Sequence, residues 1–417
     1  MFVLLFGFFK LRNKFKSKKK AVFVILSIVV ALLVLFFGLL KLQNKFPKTV
    51  SNKSISGIQA RSQIWSGEIT ITGDVIFLPF ADLTILPGTK IKFVVGDDLK
   101  FGGMEVPPDG YNDLDPTRLA SYGKSHSGLI VSGKLYAVGT PENRILFTSA
   151  AQNPKIADWD CISPMGDGSL IEYTIIEYNR IGISPGEGTP NSISRNNIVR
   201  HTMWAPISTY WSGAQVYNNE IYDCGHEGVD VQGGNPIIEN NTIYDCNVGI
   251  VVLRGSAIVR NNKITNSGEG TTKIGIHLGK DATPLIENNY FEPAPYDSDL
   301  KWCYENFCYF MYKEPPDTPL LSEVYKKNNT ARYAVPAYKI DRPEQNYTVN
   351  LPFEAEWLIY GWKNNKWQKI ELKILSEGYK VPAGYSMYVF IPNPTTIEKS
   401  EIIFNLLHKD IYKIMAV

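Results

Sequence analysis

The chain has 417 residues, room for more than one domain, and its 43 basic and 41 acidic residues leave a net charge of +2. A balance this close to neutral favours neither nucleic acid nor an acidic partner. Five cysteines are too few for a disulfide scaffold at this length.

The basic excess lies at the start. Residues 1–20 carry Lys10, Arg12, Lys14, Lys16, Lys18, Lys19 and Lys20. An uncharged apolar run of twenty residues follows, Ala21 to Leu40, and then Lys41, Lys45 and Lys48. Such a run is long enough to cross a bilayer as a helix. The heavier positive flank stays in the cytoplasm, which predicts a single-pass membrane anchor with the bulk of the chain extracellular or periplasmic. A cleaved signal peptide is the alternative, but no small-residue cleavage site is evident after the run. Met1 to Phe9 is apolar and too short to span.

From Trp65 onward, short apolar runs alternate with turn residues. Trp65-Ser66-Gly67, Gly73-Asp74-Val75, Leu83 to Thr89, Ile91-Lys92-Phe93, Gly128 to Val131 and Ile145 to Ser149 read as strand, turn, strand. One interruption, Gly96 to Ser127, carries Asp97, Asp98, Glu105, Asp109, Asp113 and Asp115. Oxygen-rich loops bind calcium, although no EF-hand spacing is present and a solvated acidic loop is the commoner reading. No cofactor is otherwise expected.

Asn-Asn pairs then recur at Asn196, Asn218, Asn240, Asn261 and Asn288, separated by 22, 22, 21 and 27 residues. Each pair has an apolar residue before it and another two places after it. A second apolar run follows: Gly228-Val229-Asp230-Val231, Gly249-Ile250-Val251-Val252 and, delayed by a loop at 268–272, Gly275-Ile276-His277-Leu278. Gly182-Ile183 and Ile207 mark that run in earlier coils. A fixed period of this length indicates a solenoid. Equivalent residues then lie about 4.8 Å apart along the axis. Asparagine tolerates the left-handed backbone region, and its amide both donates and accepts, so copies can bond in a ladder. Thr202, Cys224, Cys246 and Ser267 form a second column of small inward residues.

On these residues the chain resembles the right-handed parallel β-helix repeat proteins, the pectate-lyase-like superfamily in its broad sense. The resemblance covers roughly 64–293. It implies an all-β solenoid and is specific for fold rather than activity. The domain reading is 1–20 cytoplasmic segment, 21–42 anchor, 43–63 linker, 64–295 β-helix, 296–335 cap and linker, and 336–417 a small C-terminal domain. In the last, Tyr347 to Leu351, Ala355 to Trp362, Trp367 to Leu375 and Ser386 to Ile391 read as antiparallel strands, with a turn at Asn364-Asn365. Glu398 to Met415 has helical spacing.

Cys224 and Cys246 fall in one column of adjacent coils, where a bridge and a pair of reduced buried thiols are both open. Cys303 and Cys308 are a possible disulfide in an outward-facing compartment. No spacing resembles a zinc site.

Enzymes of this fold work on outward-facing residues along one groove. Here one outward column runs Ser184, Ser208, Asp230, Val251, His277, and another runs His201, Asp223, Asp245, Asn266. His226 and Glu227 precede Asp230, and Trp204, Tyr210 and Trp211 project from the neighbouring coil. Carboxylates bond sugar hydroxyls, aromatic rings cover apolar sugar faces, and a His–Asp pair moves protons. Asp230, His226, Glu227 and His277 are the candidate catalytic residues; His201, Trp204, Tyr210, Trp211 and Asp223 are the candidate ligand-binding residues. Solenoids also show polar residues outward simply to stay soluble. The Gly-His-Gly segment of polygalacturonases matches only in part at Cys224-Gly225-His226-Glu227. The arginine motif of pectate lyases and the Asp-Pro-His segment of alginate epimerases are not apparent. The expectation is an anchored, outward-facing, non-catalytic β-helix that binds polysaccharide or an envelope protein, with no nucleic-acid role. A lyase, hydrolase or epimerase acting on a uronate-type or envelope glycan is one alternative, and a structural spacer the other.

Overall fold

The computed structural model describes residues 22, 25–32, 38, 46–97, 104–105, 125–265, 272 and 274–292, with short segments between 309 and 404. Residues 22, 25–32 and 38 are helical, and the rest of Ala21 to Leu40 lies outside the described residues. Among the described residues no helix is long and apolar enough to cross a membrane.

The bulk of the chain is a parallel β-helix. Each coil offers up to three short strands, and each strand pairs in parallel with its counterpart one coil on. One column runs Leu170–Glu172, Ile193–Arg195, Gln215–Tyr217, Ile237–Glu239, Ile258–Arg260 and Leu285–Glu287. The second runs Thr174–Glu177, Ile198–Thr202, the first halves of Glu220–Val231 and Thr242–Gly255, then Lys263–Thr265 and Tyr290–Glu292. The third holds Leu129–Val131, Ile162–Pro164, Ile207–Thr209, the second halves of the two long strands, and Ile274–Ala282. Period-2 alternation sends every second side chain inward. Val199, Ile221, Ile243, Ile264 and Phe291 therefore stack as one fully buried column. Each such side chain contributes about 1.5–3 kcal/mol through burial.

The corner between the first two columns is held by the second Asn of each pair. Asn197, Asn219, Asn241, Asn262 and Asn289 are buried. The Nδ2 of each of the first four donates to Oδ1 of the next at 3.0 Å. The backbone N–H of each donates to that same oxygen at 3.0–3.1 Å. The other Nδ2 hydrogen goes to a carbonyl of the previous coil: Ser194 for Asn219, Val216 for Asn241, Ile238 for Asn262. Thr174 closes the upper end, donating from N and Oγ1 to Asn197 Oδ1. The first Asn of each pair makes the turn, with φ of 55–57° at Asn196, Asn218, Asn240, Asn261 and Asn288.

Three sequence expectations change at the ends. The 43–63 segment is not simply a linker, because Lys48–Gln59 is a strand paired in parallel with Gln63–Phe77. As the terminal coil it buries only Val50 and Gly57 among its residues, so it shows no apolar alternation to read. Its exposed lysines and serines blunt an edge strand. Beyond 295, Tyr309–Lys313, Asn329–Ala331 and Ile402–Phe404 continue the parallel pairing into the segment read as cap and linker. The helix expected over Glu398 to Met415 is strand where it is described, at Ile402–Phe404. A short Ile-Ile-Phe run suits either period, and pairing with Asn329–Ala331 decides it.

The antiparallel strands are Tyr338–Asp341, Met387–Pro392, Ala355–Lys363 and Lys366–Leu375, in that order across one sheet. Asn364 turns between the last two at φ 54°. Cys224 and Cys246 are disulfide-bonded, with Cα atoms 4.7 Å apart, and Cys161 is a buried free thiol. Ser267, Cys303 and Cys308 lie outside the described residues.

Replacing Asn241 with Ala strips the acceptor from Asn219 N and Nδ2 and the donor from the Val216 carbonyl. Leaving a buried group unsatisfied costs about 1–3 kcal/mol, and three are affected, so Asn241→Ala should lose at least about 3 kcal/mol in chemical denaturation. Asn240→Gly, at the exposed left-handed position beside it, should be close to neutral in the same assay.

Candidate functional site

The geometry of the site follows from coil length. Between the second and third columns, Thr202 to Ile207 and Cys224 to Val229 take five steps, whereas Cys246 to Ile250 takes four. The extra residue appears as a bulge between Cys224 and Glu227. The bulge falls on Gly225-His226-Glu227, and the coil before has the same length over Met203-Trp204-Ala205. Gly228 has to be glycine at the return, because a Cβ there would stand 2.4 Å from Ile243 Cγ2 and 2.8 Å from the Gly249 carbonyl.

An open cleft of about 350 Å³ results, which falls at the small end of ligand sites. Its floor is the outward column Ser184, Ser208 and Asp230. One wall is a stack: the Arg180 guanidinium lies 4.7 Å from the Trp204 ring centroid, and that ring lies 6.3 Å from the His226 ring. Opposite stand Tyr210 and Gln232, one place beyond the paired Thr209 and Val231. Val251 follows Asp230 in the floor column and ends the run of polar residues.

Asp230 is the unusual group. It points outward by register yet is only 5% exposed. Its Oδ2 accepts from Ser208 Oγ at 3.2 Å and from the Gln232 amide. Its Oδ1 is buried and has no hydrogen-bond partner among the described residues. Burial, then the nearby Glu227 carboxylate, push the Asp230 carboxyl up to about 7, against the opposing hydrogen bonds and His226. His226 Nδ1 stands 3.4 Å from Glu227 Oε2, an ion-pair distance rather than a good hydrogen bond. Arg180 is committed elsewhere: its guanidinium reaches Asp160 Oδ1 at 2.5 Å with both side chains buried.

Five of the sequence-selected residues therefore meet in one place: Trp204, Tyr210, His226, Glu227 and Asp230. The others do not line the cleft. His277 is separated from Asp230 by Val251, two coils on. His201 and Asp223 sit at the outer turn with φ of 51° each, joined Nδ1 to Oδ2 at 2.5 Å, and His201 stacks on Tyr178 at 4.9 Å. Asp is favoured at such left-handed turns, and an exposed pair of this kind contributes little. Trp211 lies over Gly233, whose Cβ would fall 2.8 Å from its ring, and Arg254 covers it at 6.0 Å. That contact is packing. Ser184, Ser208 and Gln232 were not singled out as ligand-contacting; the two serines were legible as members of the floor column, and Gln232 as the outward residue after Val231. Of the acidic loop, Asp98, Asp109, Asp113 and Asp115 lie outside the described residues, and Glu105 lies in the short strand Met104–Glu105 paired with Ser125–His126. Among the described residues no cluster suited to a metal ion is present.

The pH behaviour of Asp230 follows from its shift. Its folded value lies above the ordinary 3.8, so its stabilising contribution is fully present below about pH 4 and is lost as pH rises through about 7. Ionised Asp230 costs on the order of a few kcal/mol at alkaline pH. Asp230→Asn should therefore melt higher than the parent at pH 8, with the gap closing by pH 4. An equal gap at both values would mean the carboxyl is not held in this state.

Comparison with known proteins bears on the fold. A family model described as right handed beta helix region matches residues 149–291. The A-module of the Azotobacter vinelandii mannuronan C-5 epimerase AlgE6 aligns at 14% identity over 69% of this chain and 78% of its own, with a TM-score of 0.30. No curated protein matches the sequence. The solenoid is a right-handed parallel β-helix, and the cleft at Asp230 lies within the matched span.

Proposed function

We propose that this chain is an envelope-anchored β-helix protein that binds a polysaccharide on its outer face, with one sugar unit seated in the cleft at Asp230. The observation that carries the reading is the Asp230 carboxyl itself: nine-tenths buried, one oxygen without a partner, on the floor of a cleft walled by Trp204 and Tyr210. A buried acceptor left unpaired costs free energy unless something else supplies the donor. Sugar hydroxyls supply donors, and sugar C–H faces pack on aromatic rings. The cleft suits one small unit better than a protein surface, which needs about 800 Å² per partner.

The anchor belongs to the same proposal. It rests on the apolar run Ala21 to Leu40 and its basic flank. The Cys224–Cys246 bond supports the outward placement, since disulfides persist in oxidising compartments. If residues 1–42 are removed, the protein should move from the membrane fraction to the soluble fraction; retention in the membrane would place the anchor elsewhere.

One observation favours a second reading, a hydrolase, lyase or epimerase. A carboxyl held near 7 beside a second carboxylate is suited to giving and taking a proton at neutral pH. Asp230 would then be the proton donor, with Glu227 and His226 adjacent. On a glycan array followed by calorimetry, Tyr210→Ala should weaken binding about tenfold with no change in melting, because Tyr210 is exposed in the free protein. His277→Ala should bind as the parent does. Absence of any glycan ligand for the parent protein would end the binding reading, and product release abolished by Asp230→Asn would establish the catalytic one.

A further inference from the structure

We infer that the cleft selects a sugar bearing a free amine, a hexosamine unit in its ammonium form, and rejects uronates; this rests on the glycan-binding reading above. The charge distribution leads there. The lining carries two carboxylates, Asp230 and Glu227, and no Lys or Arg. Arg180, the cation behind the wall, is 3% exposed, bonded to Asp160 and covered by Trp204. His226 already stands at ion-pair distance from Glu227. The coils on either side present Ser208 and Val251 to Asp230, neither of them charged.

A uronate entering this cleft adds a carboxylate beside the acids Asp230 and Glu227, and His226, the one basic side chain of the lining, already faces Glu227. Like charges brought together in a partly desolvated site repel strongly. An ammonium group meets the opposite situation. It has three donors and no acceptor, which suits a lining whose acidic groups are Asp230 and Glu227. A charge-assisted bond of this kind is stronger than one from a neutral hydroxyl. The exposed ring of Tyr210 adds attraction for a cation and none for an anion. An N-acetylated sugar fits the aromatic walls but lacks the charge, so it should bind more weakly.

The full-length chain in detergent would be titrated calorimetrically at pH 7 with trimers of glucosamine, N-acetylglucosamine and galacturonic acid. The glucosamine trimer should bind at least tenfold more tightly than the N-acetylated trimer, and the galacturonate trimer should not bind. Asp230→Asn and Glu227→Gln should each reduce glucosamine affinity to about that of the N-acetylated trimer, with melting curves confirming that both variants fold. Equal or tighter binding of the N-acetylated or galacturonate trimer overturns the amine preference while the glycan reading stands. Retention of full glucosamine affinity in both variants also overturns it. Failure of all three trimers to bind contradicts the preference and the glycan reading together.

Discussion

Everything in this molecule depends on coils stacking in register. A parallel β-helix has no turn chemistry that fixes one coil over the next, and a slip of one residue would turn each inward side chain outward. The buried asparagines prevent the slip. Each interior member uses both amide hydrogens and accepts two bonds on its oxygen, one from the neighbouring backbone and one from the neighbouring amide. A shifted coil would break that set and leave buried donors and acceptors without partners. The ladder thus contributes specificity beyond the energy of its individual bonds.

With register fixed, function reduces to what the outward columns carry and where coil length changes. Much of the surface is paired within itself. Glu172, Arg195 and Tyr217 occupy one column, with Arg195 bonded to Glu172 Oε2 and to the Tyr217 hydroxyl at 2.8 Å each. Glu177, Arg200 and Tyr222 repeat the arrangement in the next column. Those faces satisfy their own charges. The cleft differs because the chain there carries an extra residue between Cys224 and Glu227, and because the carboxyl of Asp230, buried on its floor, is pushed up to about 7.

The columns were readable from sequence because the Asn-Asn period aligns the chain. Once aligned, Ser184, Ser208, Asp230, Val251 and His277 had to share one line, and the pairing register agrees. Distance along the axis was therefore legible, and it already separated His277 from Asp230. Burial was not. Nothing in Gly-Val-Asp-Val states that this aspartate is buried and bonded to Ser208 and Gln232. That depends on comparing loop lengths between columns, where one residue changes the surface. Trp211 and the His201–Asp223 pair looked equally functional by type, yet left-handed turn geometry and packing on Gly233 account for them. The terminal coils were obscured for a related reason: a strand at the end of a stack buries little and loses its alternation, as at Lys48–Gln59.

The central claim is that Asp230 is a buried carboxyl whose missing partner is the ligand. Its titration can be followed directly through the carboxyl carbon resonance in protein labelled with ¹³C at aspartate, with and without bound saccharide. The account predicts a midpoint near 7 in the free protein, which moves down when a bound ligand donates to the carboxylate. A midpoint near the ordinary 3.8 in the free protein, or one that saccharide leaves unmoved, would contradict it.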